Sequence, residues 1–248
     1  VEVDIYGQTV RTTASMIIHK IVAASLAYPK LFILSPNIRI EKAERACTGR
    51  HVYEFTQLDF EIRNAEAKDV FRLVEDALCS LILTLKHDAA SELRQLGRYE
   101  QLHVPEKPFK VYDRKVLEAQ YGAEWESRLT AEADAPVWVT NIPREFYDYE
   151  DFATGQWENY DLYLPGYGEV LSGAKREWEY EKISRKIERD RVNGGNFTLL
   201  LKLAKQGKLK PTAGAGIGVE RLVAWLTGAK HIGETQPFPK VPGYVYEL

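Results

Sequence analysis

The sequence GAGIGVERL, residues 214–222, decides how the rest of this chain is interpreted. Three glycines alternate with small or apolar residues, and Glu220 and Arg221 then open an apolar run typical of a helix. Glycine at alternate strand positions lets another backbone or a flat ligand approach closely, because no side chain stands in the way. An arginine at the end of such a strand can stack on an aromatic base or bridge phosphates. The alternative is a glycine-rich turn before a surface helix, and other residues decide between the two.

Strand-like segments outnumber the helices between them in the rest of the chain. Short apolar or alternating runs predict strands at 31–34, 37–44 and 51–62, and a further pair at 160–164 and 169–172 around a Pro-Gly turn. Several of these strands pair as hairpins rather than as βαβ units. The sequence therefore predicts an α+β fold, with an antiparallel sheet flanked by helices.

Composition limits the class of protein. The chain has 248 residues, of which 45% are hydrophobic, as expected for one large globular domain or two small ones. A net charge of −3 argues against a broad basic surface, so tRNA is not an expected partner. No apolar run reaches membrane-spanning length and no signal peptide opens the chain, which predicts a cytoplasmic protein without a membrane partner.

A first polar cluster surrounds the loop between the predicted strands 37–44 and 51–62. It begins with three arginines and one acidic residue, namely Arg39, Arg45, Arg50 and Glu41. Alternation along the second strand places these residues on one face: His51, Phe55, Gln57, Asp59 and Glu61. That face is too polar for a core. It is either a set of salt bridges across an exposed hairpin or part of a binding site.

A second cluster lies in the hairpin of strands 160–164 and 169–172. Asp161 and Glu169 flank its turn, and Ser172 follows. Paired carboxylates with a nearby hydroxyl suit Mg²⁺, although an ordinary acidic hairpin is the alternative. The carboxylate pair, the two arginines Arg39 and Arg221 and the Phe55 ring together predict a nucleoside-triphosphate site. Neither GxxxxGK[ST] nor a GxGxxG between a parallel strand and a helix is present.

These residues resemble the class II aminoacyl-tRNA synthetases, in the subclass that handles aspartate, asparagine and lysine. IRIE (38–41) and GRHVYEFTQLDFE (49–61) resemble motif 2, and GAGIGVER (214–221) resembles motif 3. NYDLYLPGYGEVLSGAKRE (159–177) resembles the hairpin between them. The resemblance implies a single class II synthetase-like catalytic domain over residues 1–248.

The resemblance also implies a role for each matching residue. Arg39 would hold the α-phosphate of ATP, and Arg221 would sandwich the adenine with Phe55. The ATP site as a whole would comprise Arg39, Glu41, Arg50, His51, Phe55, Glu169 and Arg221. The ligands of Mg²⁺ would be Asp161, Glu169 and Ser172. Catalysis would stabilise charge at phosphorus electrostatically as a carboxylate attacks and pyrophosphate leaves.

The amino-acid site implied by the resemblance consists of Lys20, Gln57, Asp59, Arg176 and Gly216. In the family's aspartate enzymes a lysine and an arginine bind the side-chain carboxylate of the substrate, and an aspartate holds the lysine in position. Two cations suit a carboxylate better than an amide, so aspartate is favoured. The eight-residue spacing from Asp161 to Glu169 is more like asparaginyl enzymes, and Ile17 replaces the family's glutamine. The choice between aspartate and asparagine therefore stays open.

Two segments of the family find no match in this sequence. No anticodon-binding β-barrel precedes the catalytic part, and motif 1 would lie before Val1, so we expect an incomplete N-terminus. A core of this kind resembles archaeal asparagine synthetase, a paralogue of the synthetases. It implies a homodimer that activates the β-carboxylate of aspartate with ATP and amidates it with ammonia, giving asparagine, AMP and diphosphate. The alternatives are an enzyme that transfers an activated amino acid to tRNA or protein, and a regulatory module without catalysis. Neither the ammonia site nor the carboxylate held by Lys20 and Arg176 follows from the sequence.

Overall fold

A seven-stranded sheet forms the centre of the computed structural model, which describes residues 2–244. The strands are β1 (Glu2–Ile5), β2 (Gln8–Arg11), β3 (Lys30–Ile38), β4 (Glu54–Arg63), β5 (Lys110–Asp113), β6 (Val137–Thr140), β7 (Glu150–Asp151), β8 (Gln156–Trp157), β9 (Asn159–Leu164), β10 (Gly168–Lys175) and β11 (Thr212–Gly218). The helices are α1 (Ile17–Leu26), α2 (Ala67–Asp88), α3 (Ala90–Gln95), α4 (Arg114–Tyr121), α5 (Trp125–Glu132), α6 (Tyr180–Arg189), α7 (Thr198–Lys205) and α8 (Val219–Thr227). Short 3₁₀ helices cover Ala43–Thr48, Gly122–Glu124, Gly194–Phe197 and Ile232–Thr235.

The strand order of the large sheet is β3-β4-β11-β10-β9-β6-β5. Neighbouring strands are antiparallel except β5 and β6, which are parallel. Helices pack against this sheet, so the predicted α+β class with an antiparallel sheet flanked by helices is confirmed. Two small hairpins, β1-β2 and β7-β8, stand apart from it. Within the described residues no helix has both the length and the apolar composition needed to cross a membrane.

The two faces of the sheet differ in polarity, because successive side chains along a strand point to opposite sides. Phe60 on β4 and Ala215 on β11 pack into the main hydrophobic core. Their chain neighbours Asp59 and Gly216 line a cavity on the other side. The sheet is therefore a partition between an apolar core and a polar site.

Helix α2 covers the apolar face. Its buried apolar positions recur every fourth residue, at Val70, Val74, Leu78 and Ile82, which is the spacing of a helix stripe. A reciprocal capping box between Glu66 and Asp69 closes its first turn. Trp138 of β6 is fully buried in the same core and stacks on Phe71 at 4.2 Å between ring centroids.

A second hydrophobic cluster joins α1, α6 and α7. Its fully buried members include Ile21, Phe146, Ile183 and Leu200. Ile21 follows Lys20 on α1, so packing of this cluster fixes the helix that carries the predicted substrate lysine.

The predicted strands at 31–34 and 37–44 are wrong as two elements, because residues 30–38 form the single strand β3. Ser35 and Pro36 lie between the two predicted strands. β3 has one neighbour in the sheet, and an edge strand tolerates proline because one side of its backbone makes no ladder bonds. The chain leaves the sheet after Ile38 and turns into the 3₁₀ helix at Ala43–Thr48. β4 starts at Glu54, so His51 precedes the strand on which it was predicted.

Candidate active site

A cavity of about 340 Å³ brings together nearly all of the residues that the sequence predicts for the site. Its walls include Lys20, Arg39, Glu41, Arg50, His51, Phe55, Gln57, Asp59, Glu169, Ser172, Gly216 and Arg221. Asp161 and Arg176 are not among the lining residues, and both are only 2% exposed. The polar face of β4 is therefore a cavity wall and not an exposed hairpin.

The glycines of β11 allow close approach, as the alternating pattern predicts, and protein groups make use of it. A Cβ atom at Gly214 would overlap the Phe60 carbonyl oxygen and the Glu61 carboxylate. At Gly216 it would lie 3.0 Å from both Asp59 Oδ1 and Gln57 Nε2. These glycines let β4 side chains lie across β11 without obstruction.

Three guanidinium groups dominate one end of the cavity. Arg221 Nη1 donates to the main-chain oxygen of Glu169 at 3.2 Å and to its Oε1 at 3.3 Å. Arg50 Nη2 donates to the same main-chain oxygen at 3.3 Å. The guanidinium carbon of Arg39 lies 5.0 Å from the centre of the Phe55 ring. Such clustered cations beside an aromatic face suit a phosphate-bearing aromatic ligand.

His51 belongs to the same end. Its Nδ1 lies 2.6 Å from Thr48 Oγ1, and its Nε2 lies 3.1 Å from Arg45 Nη1. Burial, and then the positive charges of Arg221 and Arg45, lower the pKa of His51. Both effects favour the neutral imidazole, which serves as a hydrogen-bonding group. Glu41 pairs with Arg45 at 3.4 Å.

Lys20 and Asp59 form the other end of the cavity. Lys20 Nζ donates to Asp59 Oδ1 at 2.8 Å and to the main-chain oxygen of Ala215 at 2.7 Å, and Glu61 Oε2 lies 3.8 Å away. Burial lowers the pKa of Lys20, and the two carboxylates oppose that effect. Asp59 Oδ2 is buried and has no hydrogen-bond partner within residues 2–244. Gln57 Oε1 accepts from Asn37 Nδ2 at 3.3 Å.

Arg176 is held by protein groups. Its Nη1 donates to Asp148 Oδ1 at 2.6 Å, its Nε to Glu61 Oε1 at 3.4 Å and its Nη2 to the main-chain oxygen of Gly214 at 3.2 Å. Glu61 and Asp148 raise the pKa of Arg176 although burial opposes them. The structure thus brings Arg176 to a buried ion cluster next to Lys20 rather than to the cavity wall.

Asp161 and Ser172 lie opposite each other on β9 and β10. Arg144 contacts both, with Nη2 on Asp161 Oδ2 and Nη1 on Ser172 Oγ. Asp161 Oδ1 is buried without a hydrogen-bond partner in the described part of the chain. Burial raises the pKa of Asp161 to about 7, against the opposing effect of Arg144.

The carboxylates of Asp161 and Glu169 and the hydroxyl of Ser172 are oxygen donors, which is the kind of ligand that Mg²⁺ prefers. No group of three His, Cys, Asp or Glu residues within residues 2–244 could hold a metal ion. Asp161 and Glu169 provide two carboxylates, and the partnerless Oδ1 of Asp161 is a free acceptor. Mg²⁺ commonly takes one or two protein carboxylates and completes its shell with water and phosphate oxygens, so a pair is sufficient.

Sequence reasoning missed Arg144 and the role of Glu220. Arg144 lies four residues after β6, in a segment without periodicity, so no pattern marked it. Glu220 is buried, and its two carboxylate oxygens accept from the Thr56 amide at 2.9 and 3.0 Å. The sequence signal for the role of Glu220 was its position next to Arg221 in the first turn of a helix. The bond ties α8 to β4 and so positions Arg221 relative to Phe55.

The whole arrangement has counterparts among solved structures. Asparaginyl-tRNA synthetase from Pyrococcus horikoshii, complexed with asparaginyl-adenylate, superposes with a TM-score of 0.86 at 26% identity, covering 100% of this chain and 60% of that one. Asparaginyl-tRNA synthetase from Entamoeba histolytica gives 0.86 at 23% identity, with 97% and 59% covered. Aspartyl-tRNA synthetase from the same organism superposes with a TM-score of 0.79 at 21% identity, covering 95% of this chain and 52% of that one. The two Entamoeba histolytica proteins are less than 25% identical to this chain, so their likeness shows the fold alone.

This chain spans about 60% or less of the length of those solved proteins. Within that span the agreement is continuous, because the family model of class II tRNA synthetases for D, K and N matches residues 6–242. The matched range contains the motif 2 segment, the β9-β10 hairpin and the glycine strand β11. The chain therefore belongs to the class II tRNA synthetase family of the aspartate, lysine and asparagine enzymes.

Proposed function

We propose that this protein is an ATP-dependent ligase that converts aspartate and ammonia into asparagine, AMP and diphosphate. The observation that carries the proposal is one continuous cavity with arginines and Phe55 at one end and the Lys20–Asp59 pair at the other. The first end suits ATP, and the second suits a charged amino acid. The P. horikoshii relative, at 26% identity, is complexed with asparaginyl-adenylate, which supports acyl-adenylate chemistry in a cavity of this family.

In the proposed first step an aspartate carboxylate oxygen attacks the α-phosphorus of ATP. The new O–P bond forms as the bond to the leaving diphosphate breaks. Arg39 holds the α-phosphate, while Arg221 and Phe55 hold the adenine between them. Arg50 and neutral His51 bind the outer phosphates. These groups offset charge that develops in the transition state, which is where preorganised cations have the largest effect.

Asp161, Glu169 and Ser172 would hold Mg²⁺. When bound, the ion supplies positive charge near the phosphate oxygens. Arg144 contacts Asp161 and Ser172 in this structure and keeps the buried carboxylate paired. An ion held by Ser172 Oγ or Asp161 Oδ2 would therefore compete with the Arg144 contact, whereas Asp161 Oδ1 would be available to it.

In the proposed second step the nitrogen of ammonia attacks the acyl carbon, the bond to AMP breaks, and the nitrogen loses a proton. Ammonia as acceptor is supported by the net charge of −3, which is unfavourable for a polyanion such as tRNA. The second candidate is transfer of an activated amino acid to tRNA or to a protein. It is favoured by the solved relatives, which are tRNA synthetases.

The experiment that separates the two candidates is product analysis by mass spectrometry. Protein, ATP, Mg²⁺, aspartate and ammonium are incubated without tRNA, beside a parallel reaction with asparagine and tRNA. We expect equal amounts of asparagine and AMP in the first reaction and no charged tRNA in the second. Adenylate that is consumed only when tRNA or protein is added would contradict the ligase and support the transferase.

Glu169→Gln should raise the Mg²⁺ concentration needed for ATP binding by at least about 10-fold. Even partners that only orient metal ligands contribute 10- to 100-fold in affinity, so loss of a ligand charge should cost no less. The measurement is ATP binding by calorimetry across a Mg²⁺ titration. Glu188→Gln, on the exposed side of α6, is the matched control. An unchanged Mg²⁺ midpoint in Glu169→Gln would remove this residue from the proposed metal site.

We also propose that the protein is a homodimer, as the family resemblance implies. Phe32 and Leu34 of β3 are 75% and 63% exposed, and Ile40 beyond the strand is 74% exposed. Large apolar residues on an edge strand provide a surface of the kind that association buries.

A further inference from the structure

Arg50 lines the arginine-rich end of the main cavity with most of its hydrogen-bonding capacity unused. Its guanidinium has five N–H donors, and within residues 2–244 only Nη2 makes a hydrogen bond, to the main-chain oxygen of Glu169 at 3.3 Å. Its Nε is buried and has no partner in the same range. A single hydrogen bond does not fix the orientation of a planar group, so the position of this guanidinium depends on packing.

Gly168 provides the surface against which Arg50 packs. A Cβ atom at Gly168 would lie 2.8, 3.0 and 3.1 Å from Nη1, Cζ and Nη2 of Arg50. These nearly equal distances mean that the guanidinium lies face-on against this backbone position. Non-bonded heavy atoms pack best at about 3.5–4.0 Å, so any side chain at residue 168 would displace the guanidinium. The backbone there also has φ +108°, which glycine adopts at little steric cost.

Tyr167 is the second residue that packs against Arg50. The guanidinium carbon lies 5.9 Å from the centre of the Tyr167 ring, within the range of a cation–π contact. The Tyr167 side chain itself packs against the main hydrophobic core and against the buried cluster that contains Val52. Tyr167 and Gly168 are therefore well-anchored parts of the β9-β10 hairpin, and we call them the Arg50 seat.

Arg50 has room to lie elsewhere. It also lines a second cavity of about 660 Å³, together with Trp125, Thr130 and Gly166. A long side chain that moves between two spaces loses conformational freedom when a ligand fixes it in one of them. A position that is formed before the ligand arrives lowers this cost of binding. The Arg50 seat provides such a position on the side of the main cavity.

We propose that Gly168 and Tyr167 are positioning residues that hold the guanidinium of Arg50 where it binds the terminal phosphate of ATP. The inference rests on the proposed function, which puts the outer phosphates beside Arg50 and His51, and it adds the residues that place this cation. Both residues act through Arg50. Their effect therefore requires a nucleotide that carries outer phosphates.

The test compares ATP with AMP, which keeps the adenine and the α-phosphate and lacks the outer phosphates. Binding is measured at fixed Mg²⁺, by calorimetry for ATP and by competition against ATP for AMP. Gly168→Ala should weaken ATP by about 10- to 100-fold, the effect of a hydrogen bond to a charged group, and should leave AMP unchanged. Gly166→Ala is the matched control, because Gly166 also has a positive φ, +65°, and no atom lies within 4 Å of its added Cβ. It should change neither affinity.

A double-mutant cycle shows whether Gly168 acts through Arg50. Arg50→Ala and Arg50→Ala/Gly168→Ala should bind ATP with affinities that agree within about 2-fold, since the group that the Cβ displaces is already gone. Multiplying effects would overturn the proposal, because Gly168 would then contribute independently of Arg50. Equal weakening of ATP and AMP in Gly168→Ala would also overturn it and assign the glycine a purely structural role.

Tyr167→Leu tests the seat without changing the backbone at residue 168. It keeps an apolar side chain in the core and removes the ring, so ATP should weaken by about 2- to 5-fold while AMP is unchanged. An unchanged preference for ATP over AMP would overturn the proposal even where Gly168→Ala does not fold, which urea unfolding reports. Wild-type protein that binds ATP and makes no asparagine would remove the proposed ligase and leave the seat intact.

Discussion

Arg221→Ala should lower the rate of adenylate formation by about 1,000-fold and leave the fold intact. Loss of one preorganised group that stabilises transition-state charge costs about 100- to 1,000-fold, and Arg221 also provides half of the proposed adenine sandwich. In the protein its guanidinium contacts only Glu169 among the described partners, and its side chain is 23% exposed. Its removal therefore opens no buried cluster. The measurement is aspartate-dependent exchange of pyrophosphate into ATP.

Two further variants make the interpretation specific. Arg221→Lys keeps the charge but loses the planar group that stacks on a base, so it should recover only a small part of the rate. Arg72→Ala, on the exposed side of α2, should exchange at the wild-type rate. Unfolding in urea should give the same midpoint for all four proteins. Wild-type exchange by folded Arg221→Ala would exclude the proposed nucleotide site.

The elements that sequence reasoning predicted correctly are those with a local signal. The β9-β10 hairpin alternates around a Pro-Gly turn, and β11 follows the alternating glycines. Both lie in the sheet as neighbours, with Ser172 opposite Gly216. Local alternation fixes which residues share a face, and shared faces were enough to collect most of the cavity.

The features that could not be predicted depend on contacts between distant segments. The single strand β3 contains Pro36, and the sequence does not show that this strand lies at the sheet edge, where proline is tolerated. Arg144 belongs to an irregular segment and reaches Asp161 and Ser172 only in the folded chain. No periodic pattern encodes such a contact. The same holds for Arg176, whose partner Glu61 is 115 residues away.

Arg176→Met should lower the free energy of unfolding by about 3–5 kcal/mol. The guanidinium is fully enclosed and neutralises Asp148 and Glu61, which are 2% and 0% exposed. Methionine removes the charge with little loss of volume and leaves two carboxylates buried without it. The measurement is urea denaturation at pH 7. The double variant Arg176→Met/Asp148→Asn should recover part of the loss, since one of the two uncompensated charges is then gone.

Arg189→Met provides the matched comparison, because that arginine pairs with Glu150 and Asp190 while its side chain is 42% exposed. Exposed pairs contribute about 0–1 kcal/mol, so its loss should be several times smaller. The comparison also decides between two roles for Arg176. A stability close to that of wild type, together with a large loss of aspartate affinity, would mean that Arg176 turns into the cavity to bind substrate. A large loss of stability would mean that its charge is used within the protein, which leaves Lys20 as the cation that receives the substrate carboxylate.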